Sequence, residues 1–412
     1  MADYRNVWVL IAAVVFLQLG GGVLGVVTPL GLETLGASPA LIGAVAAGYA
    51  VGFMAGAWTS SNAIIAFGNI RVFSAAAAVC GSSVLAMQLA LDPWGWSVIR
   101  VVQGAAFAWM FSSIESWLSS AVSPRSRGSV SGFYHLMSKV ALVVGPFFVT
   151  GLAPIDFRPY LWCAIFLTLS LLPICLTRRG EPAPPSSESL PLTRLFQLAP
   201  AAVISVFLAG VINSGTMALL PIYAGIALPN VGGGATGAAA LAAAAAWTGG
   251  MITQWPAGRI SDVVDRRIVI AVMAALATVA ALVLGLFPGL PELYIIIALG
   301  VWGAGSLSFY GIGVAHAIDR AHHSQISRVM SGLLFVWAAG SVIGPPLSGF
   351  AFRLPFTQGG LFLLAAALSA VLIVSMLWRR AARKEPPKED HEPWNITLPT
   401  MGSSGEIDPR AE

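Results

Sequence analysis

Charged residues are scarce in this sequence. Asp, Glu, Lys and Arg together make up 10% of the 412 residues, while hydrophobic residues make up 57%. Soluble domains usually carry about a quarter charged residues and about half apolar residues. So few charges cannot cover a water-soluble surface. The composition therefore excludes a set of ordinary soluble domains and indicates that lipid is the solvent.

Cysteine is also scarce, and its three residues all fall inside apolar runs, at Cys80, Cys163 and Cys175. This number and placement exclude a disulfide framework and a cysteine-based metal cluster. The apolar runs also contain no HExxH, no GxSxG and no paired catalytic acids. We therefore expect no metal, no cofactor and no enzymatic activity.

Long apolar runs, in contrast, recur along nearly the whole chain. Each approaches the roughly 20 residues that span a bilayer core, and none shows the alternation of a transmembrane β-strand. The first run is too long for the apolar part of a signal peptide, so we expect it to be retained. We predict an all-α membrane protein with twelve transmembrane helices, at residues 7–30, 39–60, 70–91, 95–119, 128–153, 159–177, 201–224, 236–257, 267–287, 292–315, 327–352 and 357–378.

Loop charge predicts the orientation of these spans. An even number of spans places both termini on one side, and basic residues accumulate on the cytoplasmic side of membrane proteins. We therefore expect a protein of the cell (inner) membrane with both termini in the cytoplasm. The net charge of +4 then reflects interaction with the lipid bilayer, and we expect no nucleic-acid partner. The arginines on the side of the termini are Arg71, Arg125, Arg127, Arg178, Arg179, Arg194, Arg259, Arg266, Arg267, Arg320 and Arg328.

The chain divides into two similar halves. A polar segment rich in Pro and Ser separates six spans from the next six, which predicts a first half at 1–177, a cytoplasmic linker at 178–200 and a second half at 201–378. Residues 379–412 are charged and rich in Pro, so we expect a disordered cytoplasmic tail. Gly145-Pro146 in span five matches Gly344-Pro345 in span eleven, at an offset of about 200 residues. A duplicated bundle of this kind is typical of transporters, which bind their substrate between the halves.

The segment between spans eight and nine contains Gly258, Asp262 four residues later, and then the basic pair of Arg266 and Arg267. This pattern resembles the signature loop of the major facilitator superfamily, which has a Gly, an acid and a basic pair at these positions. Val263 and Asp265 stand where the family has a basic residue and a Gly. The matching loop of the first half, from Ser61 to Arg71, contains no acid, so a conformational latch would exist on one side only.

The resemblance also implies the partners of this latch. Asp262 is expected to contact the positive start of span five near Gly128, where a helix N-terminus attracts an acid. Arg266 or Arg267 is expected to pair with Asp319 after span ten. The alternative for both arginines is a simple anchor on the cytoplasmic side of the membrane.

Two further segments resemble proton-coupled antiporters of the same superfamily. Arg100-Val101-Val102-Gln103-Gly104 in span four resembles one antiporter motif, with snorkelling of Arg100 to the headgroups as the alternative. The glycines and prolines of spans five and eleven resemble the other, and they would allow a helix to bend or to seal a cavity. Close helix packing is the alternative role. These helix-bending candidates are Gly145, Pro146, Gly340, Gly344 and Pro345.

Glu115-Ser116-Trp117-Leu118 and the run from Gly68 to Phe73 resemble the YcaD-like subgroup of the superfamily. This resemblance covers about residues 7 to 378 and implies a transporter without naming its substrate. Glu115 lies about two helical turns from the cytoplasmic end of span four. It is a candidate for carrying a coupling proton, and the alternative is a structural ion pair with Arg71.

Lys139 is the most informative single charge. It lies about 17 Å into span five, near the midplane, where a lysine is costly unless it is paired or faces a wet cavity. His135 lies one turn before it, and packing is the alternative role for this histidine. Lys139, His135 and Arg100 together favour an anionic substrate. The other polar candidates on cavity helices are Gln18, Asn213 and Tyr310.

These features predict a transporter that moves a small organic solute by alternating access, driven by a proton gradient. The antiporter resemblances favour efflux, whereas Lys139 favours the uptake of an organic anion with protons. A membrane sensor or assembly factor that does not transport is the alternative from another class. The resemblance to facilitators implies that the protein acts as a monomer.

Overall fold

The computed structural model describes residues 2–121, 127–176, 191–287, 289–322, 325–352 and 359–382, and within these ranges it leaves out the side chains of residues 2–6, 119–121, 127–129 and 327. The described residues contain helices and no strand. The helices are α1 (Ala2–Thr34), α2 (Pro39–Phe67), α3 (Asn69–Leu89), α4 (Pro93–Ala121), α5 (Arg127–Val144), α6 (Phe157–Leu169), α7 (Leu171–Cys175), α8 (Leu192–Leu198), α9 (Pro200–Ala227), α10 (Gly234–Val263), α11 (Arg266–Leu286), α12 (Glu292–Ser306), α13 (Phe309–Ile318), α14 (Ile326–Ala351) and α15 (Gly360–Ala382).

Twelve segments of the described chain are helical, long and apolar enough to cross a membrane, in agreement with the predicted fold class. Three of these spans combine two helical pieces. A 3₁₀ segment, Gly145–Val149, extends α5, while α6 with α7 and α12 with α13 form the other two. Pro173 explains the break between α6 and α7, because a proline lacks the N–H that would bond to the preceding turn.

The two six-helix halves pack in the same way. In the first half α2 packs on α4, α1 on α5 and α3 on α6; in the second half the equivalent contacts join α10 to α12, α9 to α14 and α11 to α15. Each contact has its counterpart at the same position in the order of spans. This correspondence is the structural form of the internal duplication that the sequence predicts.

Close backbone contacts at glycine hold these pairs together. A Cβ atom on Gly145 would lie 2.3 Å from the carbonyl oxygen of Leu19 in α1, and one on Gly344 would lie 2.2 Å from that of Val211 in α9. Small residues let membrane helices approach in this way. The structure thus shows helix packing at the predicted bending sites. Their bending during transport stays a prediction, since α14 runs unbroken through Pro345 and Pro346.

The predicted boundaries of the linker and of the tail differ from the structure. Residues 192–198, which we expected in the linker, form α8, and α15 continues four residues beyond the predicted end at 378. Tertiary contacts explain both differences: Leu195 of α8 is buried, and the Arg379 guanidinium lies 5.7 Å from the ring of Phe196. The rest of the predicted linker and tail lies outside the described residues.

The first two spans also end later than predicted, at Thr34 and Phe67 rather than 30 and 60. Ala63 and Ile64 are buried in the additional turns of α2, so packing favours the longer helix. The helix then ends at Gly68, whose φ of 83° is a backbone conformation that glycine adopts without strain.

We predict that Gly344→Ala destabilises the protein by about 1–3 kcal/mol, because the added methyl group would overlap the Val211 carbonyl and force α9 and α14 apart. Gly25→Ala is the matched control, since no atom lies within 4 Å of the position of its new Cβ. Thermal unfolding of the detergent-solubilised protein measures both changes. Equal midpoints for the two variants would contradict the close-packing account.

Candidate functional site

Lys139 joins the two halves near the middle of the membrane domain. Its side chain is 5% exposed, and its ammonium donates a hydrogen bond of 2.5 Å to the Oε1 atom of Gln254. Lys139 belongs to α5 of the first half and Gln254 to α10 of the second. In the part of the chain that the structure describes, no carboxylate pairs with Lys139. A buried cation therefore has a neutral amide as its partner.

Two polar groups lie next to this contact on α5. His135 lies one turn before Lys139, is 9% exposed, and its Nδ1 atom has no hydrogen-bond partner among the described residues. Its ring meets that of Tyr134 edge-on at 5.0 Å. Gln18 of α1 donates a hydrogen bond of 2.9 Å to the Ser138 hydroxyl. The predicted candidates Lys139, His135 and Gln18 thus form one polar centre, which we call the α5 centre.

Arg100 lies in a different cluster, inside the first half. Its guanidinium lies 4.3 Å from the centre of the Tyr49 ring and donates a hydrogen bond of 2.9 Å to Gln103. Gln103 in turn donates to the sulfur of Met87. These contacts hold the side chain against α2 and α3, whereas snorkelling would direct it to the lipid headgroups. The structure does not bring Arg100 into contact with Lys139.

The second half has a separate group of polar contacts, between α9, α12 and α14. Asn213 of α9 donates a hydrogen bond of 3.1 Å to the carbonyl oxygen of Ser306, at the end of α12. The next residue, Ser214, donates to the Ser341 hydroxyl of α14 at 2.7 Å. Tyr310 is buried and meets Trp337 edge-on at 6.4 Å. The predicted candidates Asn213 and Tyr310 therefore both lie where α9 and α14 meet the break between α12 and α13.

Glu115 is buried on α4, within electrostatic range of the hydroxyl groups of Tyr134 and Tyr310. Tyr310 belongs to the second half, so the carboxyl group lies near the interface of the two halves. The alternative ion pair with Arg71 is wrong: Arg71 is exposed and makes no ion pair with Glu115. Arg71 lies in the first turn of α3 at the surface, whereas Glu115 is buried.

A buried charge cluster lies at the end of the bundle that carries the C-terminus of α15. Arg266 is 1% exposed and forms a two-point contact with Asp319, with nitrogen-to-oxygen distances of 2.6 and 3.1 Å. The Arg266 guanidinium also donates to the Ser261 hydroxyl at 3.0 Å and lies 3.4 Å from a carboxylate oxygen of Asp262. The structure thus contains the pairing of Arg266 with Asp319 that the sequence analysis expects, and its action as a latch stays a prediction.

Arg267 makes a separate pair with Asp265, at 2.7 Å, and also donates to the carbonyl oxygen of Arg379 at 3.1 Å. Asp265 caps the start of α11 by accepting a hydrogen bond from the Arg267 backbone N–H. A glycine is not needed at this position, because Asp265 has a negative φ of −47°. This chain thus has a side-chain cap where the family pattern has a Gly.

Burial raises the pKa of Asp265, but the hydrogen bonds from Arg267 outweigh burial and hold the pKa below its usual range.

The predicted partner of Asp262, the start of span five near Gly128, lies outside the part of the chain whose side chains the structure describes. Gly258 is buried and accepts a hydrogen bond from Ser261. Among the residues that the structure describes, no group of three or more His, Cys, Asp or Glu could hold a metal.

The halves also touch closely at the opposite end of the bundle. A Cβ atom on Gly43 of α2 would lie 2.2 Å from the carbonyl oxygen of Pro345 in α14, and one on Gly349 would lie 2.3 Å from that of Pro39. Next to this contact, the Gly151 backbone N–H donates to the carbonyl oxygen of Gly233 at 3.1 Å. The two halves therefore contact each other closely at this end of the bundle.

The sequence analysis did not identify Gln254, Ser138 or Tyr49, which contact predicted candidates. Gln254 is a polar residue inside an apolar span, four residues before Gly258, and this placement is the signal that could have identified it. Ser138 and Tyr49 carry no comparable signal, because a serine or a tyrosine is common in membrane helices.

These features define a class of protein: a polytopic membrane transporter with two matched helical halves and a polar centre between them. The model of the Major Facilitator Superfamily matches residues 10–247 and 228–402. The chain belongs to this superfamily, which confirms the family resemblance and marks the protein as a transporter rather than an enzyme.

Curated relatives and solved structures agree with this assignment. The chain is 24% identical to the uncharacterized MFS-type transporter YcaD of Escherichia coli (strain SE11) and of Shigella flexneri serotype 5b (strain 8401), over 94% of this chain and 99% of each relative. The similarity supports the YcaD-like group.

Among solved structures, the nucleoside transporter NupG superposes with a TM-score of 0.70 at 14% identity, over 92% of this chain and 99% of the other. A bacterial homolog of the human lysosomal transporter Spinster, in an inward-facing and occupied conformation, gives a TM-score of 0.72 at 16% identity, over 94% and 98%. At these identities the likeness establishes the fold alone.

We predict that Asp319→Asn costs about 3–5 kcal/mol, because it removes the charge of the two-point partner of the buried Arg266 guanidinium and leaves only the more distant carboxylate of Asp262. Asp156→Asn is the matched control: Asp156 also pairs with an arginine, Arg158, but that pair lies at the surface and should contribute little. Thermal unfolding in detergent measures both variants. A control that loses as much stability as Asp319→Asn would contradict the importance of burial.

A pH dependence is expected for the cap of α11. Because the pKa of Asp265 is lowered in the folded protein, its contribution to stability is present at neutral pH and is lost as the pH falls through that lowered pKa. Asp265→Asn keeps the capping oxygen and removes the charge. The difference in melting temperature between wild type and variant should therefore shrink in acid. A difference that stays constant with pH would refute this account.

Proposed function

We propose that this protein is a secondary active transporter that moves a small organic solute by alternating access. Alternating access requires two halves that rock about a central site, with contacts that form on one side and break on the other. The observation that carries the proposal is the hydrogen bond between Lys139 and Gln254, which joins the halves near the middle of the membrane domain. The close contact between Gly43 and Pro345 then belongs to one access state.

Proton coupling is the proposed energy source. Buried acids near the interface of two moving parts are suited to gain and lose a proton, because the movement changes their exposure to water. Glu115 has this placement, near Tyr134 of one half and Tyr310 of the other. The resemblance of Arg100, Gln103 and Gly104 to an antiporter motif supports efflux of the solute in exchange for protons.

Uptake of an organic anion together with protons is the second candidate function. Lys139 favours it, since a buried cation without a carboxylate partner attracts a negatively charged solute. Both candidates share the same bundle and the same coupling ion, and they differ in the charge of the solute and in its direction.

The basic loops support an inner-membrane location with both termini in the cytoplasm. We further propose that the protein acts as a monomer, because each chain contains both halves of the transport unit. A sensor or assembly factor on the same scaffold remains the alternative from another class, and it predicts no solute movement.

Transport is tested with purified protein in proteoliposomes. A pH gradient is imposed, and internal pH is followed while organic cations, neutral solutes and organic acids are added in turn. We expect one class of solute to move protons with wild-type protein, with the sign of the pH change reporting antiport or symport. Wild-type protein that moves protons with none of the solutes would contradict transport and favour the sensor reading.

The coupling role of Glu115 is tested in the same assay. Glu115→Gln should retain solute exchange but lose accumulation driven by the pH gradient, because the amide cannot carry a proton. Glu292→Gln is the matched control, since Glu292 lies at the start of α12, where it accepts a hydrogen bond from the backbone of Asn230. If Glu115→Gln accumulates solute as wild type does, another group carries the proton.

A further inference from the structure

We propose that the α5 centre binds a carboxylate group of the substrate, which replaces Gln254 as the hydrogen-bond acceptor of Lys139. This inference rests on the proposed transport function and adds the chemical class of the substrate. In this proposal, Gln254 accepts the hydrogen bond of Lys139 when no substrate carboxylate is bound.

The charge balance of the centre supports an anionic ligand. An ammonium group in the membrane interior is costly unless a counter-charge or water compensates it. Lys139 is 5% exposed, and its partner in the described chain is the neutral amide of Gln254. By comparison, the buried Arg266 has two carboxylates within ion-pair distance, Asp319 and Asp262. The protein therefore supplies counter-charges to one buried cation and not to the other.

A second donor is available for the same ligand. The Nδ1 atom of His135 is buried and has no partner among the described residues, one turn before Lys139 on α5. A carboxylate has two oxygen atoms and can accept a bond from each of two donors. Lys139 and His135, spaced by four residues, lie on one face of the helix and are suited to share such a group.

Gln254 shows where the carboxylate would bind. Its Oε1 atom already accepts the hydrogen bond of Lys139, so a planar oxygen acceptor fits this position. A carboxylate adds an opposite charge to the Lys139 ammonium, so its bond is stronger than the bond of the same ammonium to a neutral amide. A substrate carboxylate that reaches the centre should therefore displace Gln254.

Displacement of Gln254 by a substrate carboxylate would weaken the contact between the two halves. Lys139 and Gln254 belong to different halves, so displacement of Gln254 removes a contact that holds α5 to α10. Gln254, Gly258 and Asp262 follow one another at intervals of four residues along α10, on one face of that helix. Substrate binding at the centre is thereby linked by a single helix to the charge cluster around Arg266.

The experiment measures binding of matched probe pairs to the purified full-length protein by calorimetry and by ligand-induced shifts in melting temperature. The pairs are benzoate and benzamide, nicotinate and nicotinamide, and lactate and lactamide, which differ in the carboxylate alone. The variants are Lys139→Met, Lys139→Arg and Gln254→Glu. Arg158→Met is the control, because it removes a positive charge at the surface, outside the α5 centre.

We expect at least one carboxylate, and not its amide, to bind wild type, Lys139→Arg and the control. Lys139→Met should weaken this binding roughly tenfold or more, the factor that corresponds to a lost hydrogen bond to a charged group. Gln254→Glu places a tethered carboxylate on Lys139. It should raise the melting temperature and block binding, which separates a loss of binding from a failure to fold.

Three results would overturn the inference: no carboxylate binds wild type, amides bind as well as acids, or Gln254→Glu binds acids as wild type does. Transport of the same probes is measured in parallel. Carboxylate binding without transport of any solute supports the site and contradicts the proposed function. Transport of a neutral or cationic solute that persists in Lys139→Met contradicts the site and leaves the proposed function intact.

Discussion

A bilayer core offers no hydrogen-bond partner to a peptide group, so each backbone N–H and C=O must find its partner inside the protein. Helices satisfy this requirement within one segment, and they can then assemble without a hydrophobic force between them if their backbones approach closely. In this protein, that approach occurs at glycines such as Gly145 and Gly344. The helix pairs of each half, and therefore the space between the halves, depend on these contacts.

The same solvent makes every buried charge informative, because hydrocarbon does not compensate it. Arg266 is compensated by Asp319 and Asp262, and this cluster fixes the ends of α10, α11 and α13 relative to one another. Lys139 is compensated incompletely, by an amide from the other half. The first arrangement is suited to holding a structure, and the second to a site that gains a ligand and changes partners.

The duplication is clear in the packing and is less complete in the charges. Helix pairs correspond one to one between the halves. The buried cluster of Arg266 and Asp319, however, belongs to the second half, while the loop of the first half from Ser61 to Arg71 contains no acid. Lys139 and Glu115 belong to the first half. The two halves thus share a scaffold, and each carries its own part of the polar machinery.

The sequence by itself determined the number and type of the spans, because membrane thickness sets the length of an apolar helix and scarce charge excludes a soluble surface. It also indicated Lys139 as the central charge, because a lysine inside a membrane span is costly unless it has a purpose. The family resemblance implied that Arg266 or Arg267 pairs with Asp319. Tertiary structure alone decided the partners: Gln254 lies 115 residues from Lys139 in the chain, and Glu115 is buried whereas Arg71 is exposed. It likewise ordered α8 and the end of α15 through contacts with Phe196 and Arg379. The position of a residue within an apolar run indicates how deeply it lies in the membrane, whereas the neighbour that its side chain meets depends on how helices distant in sequence are brought together.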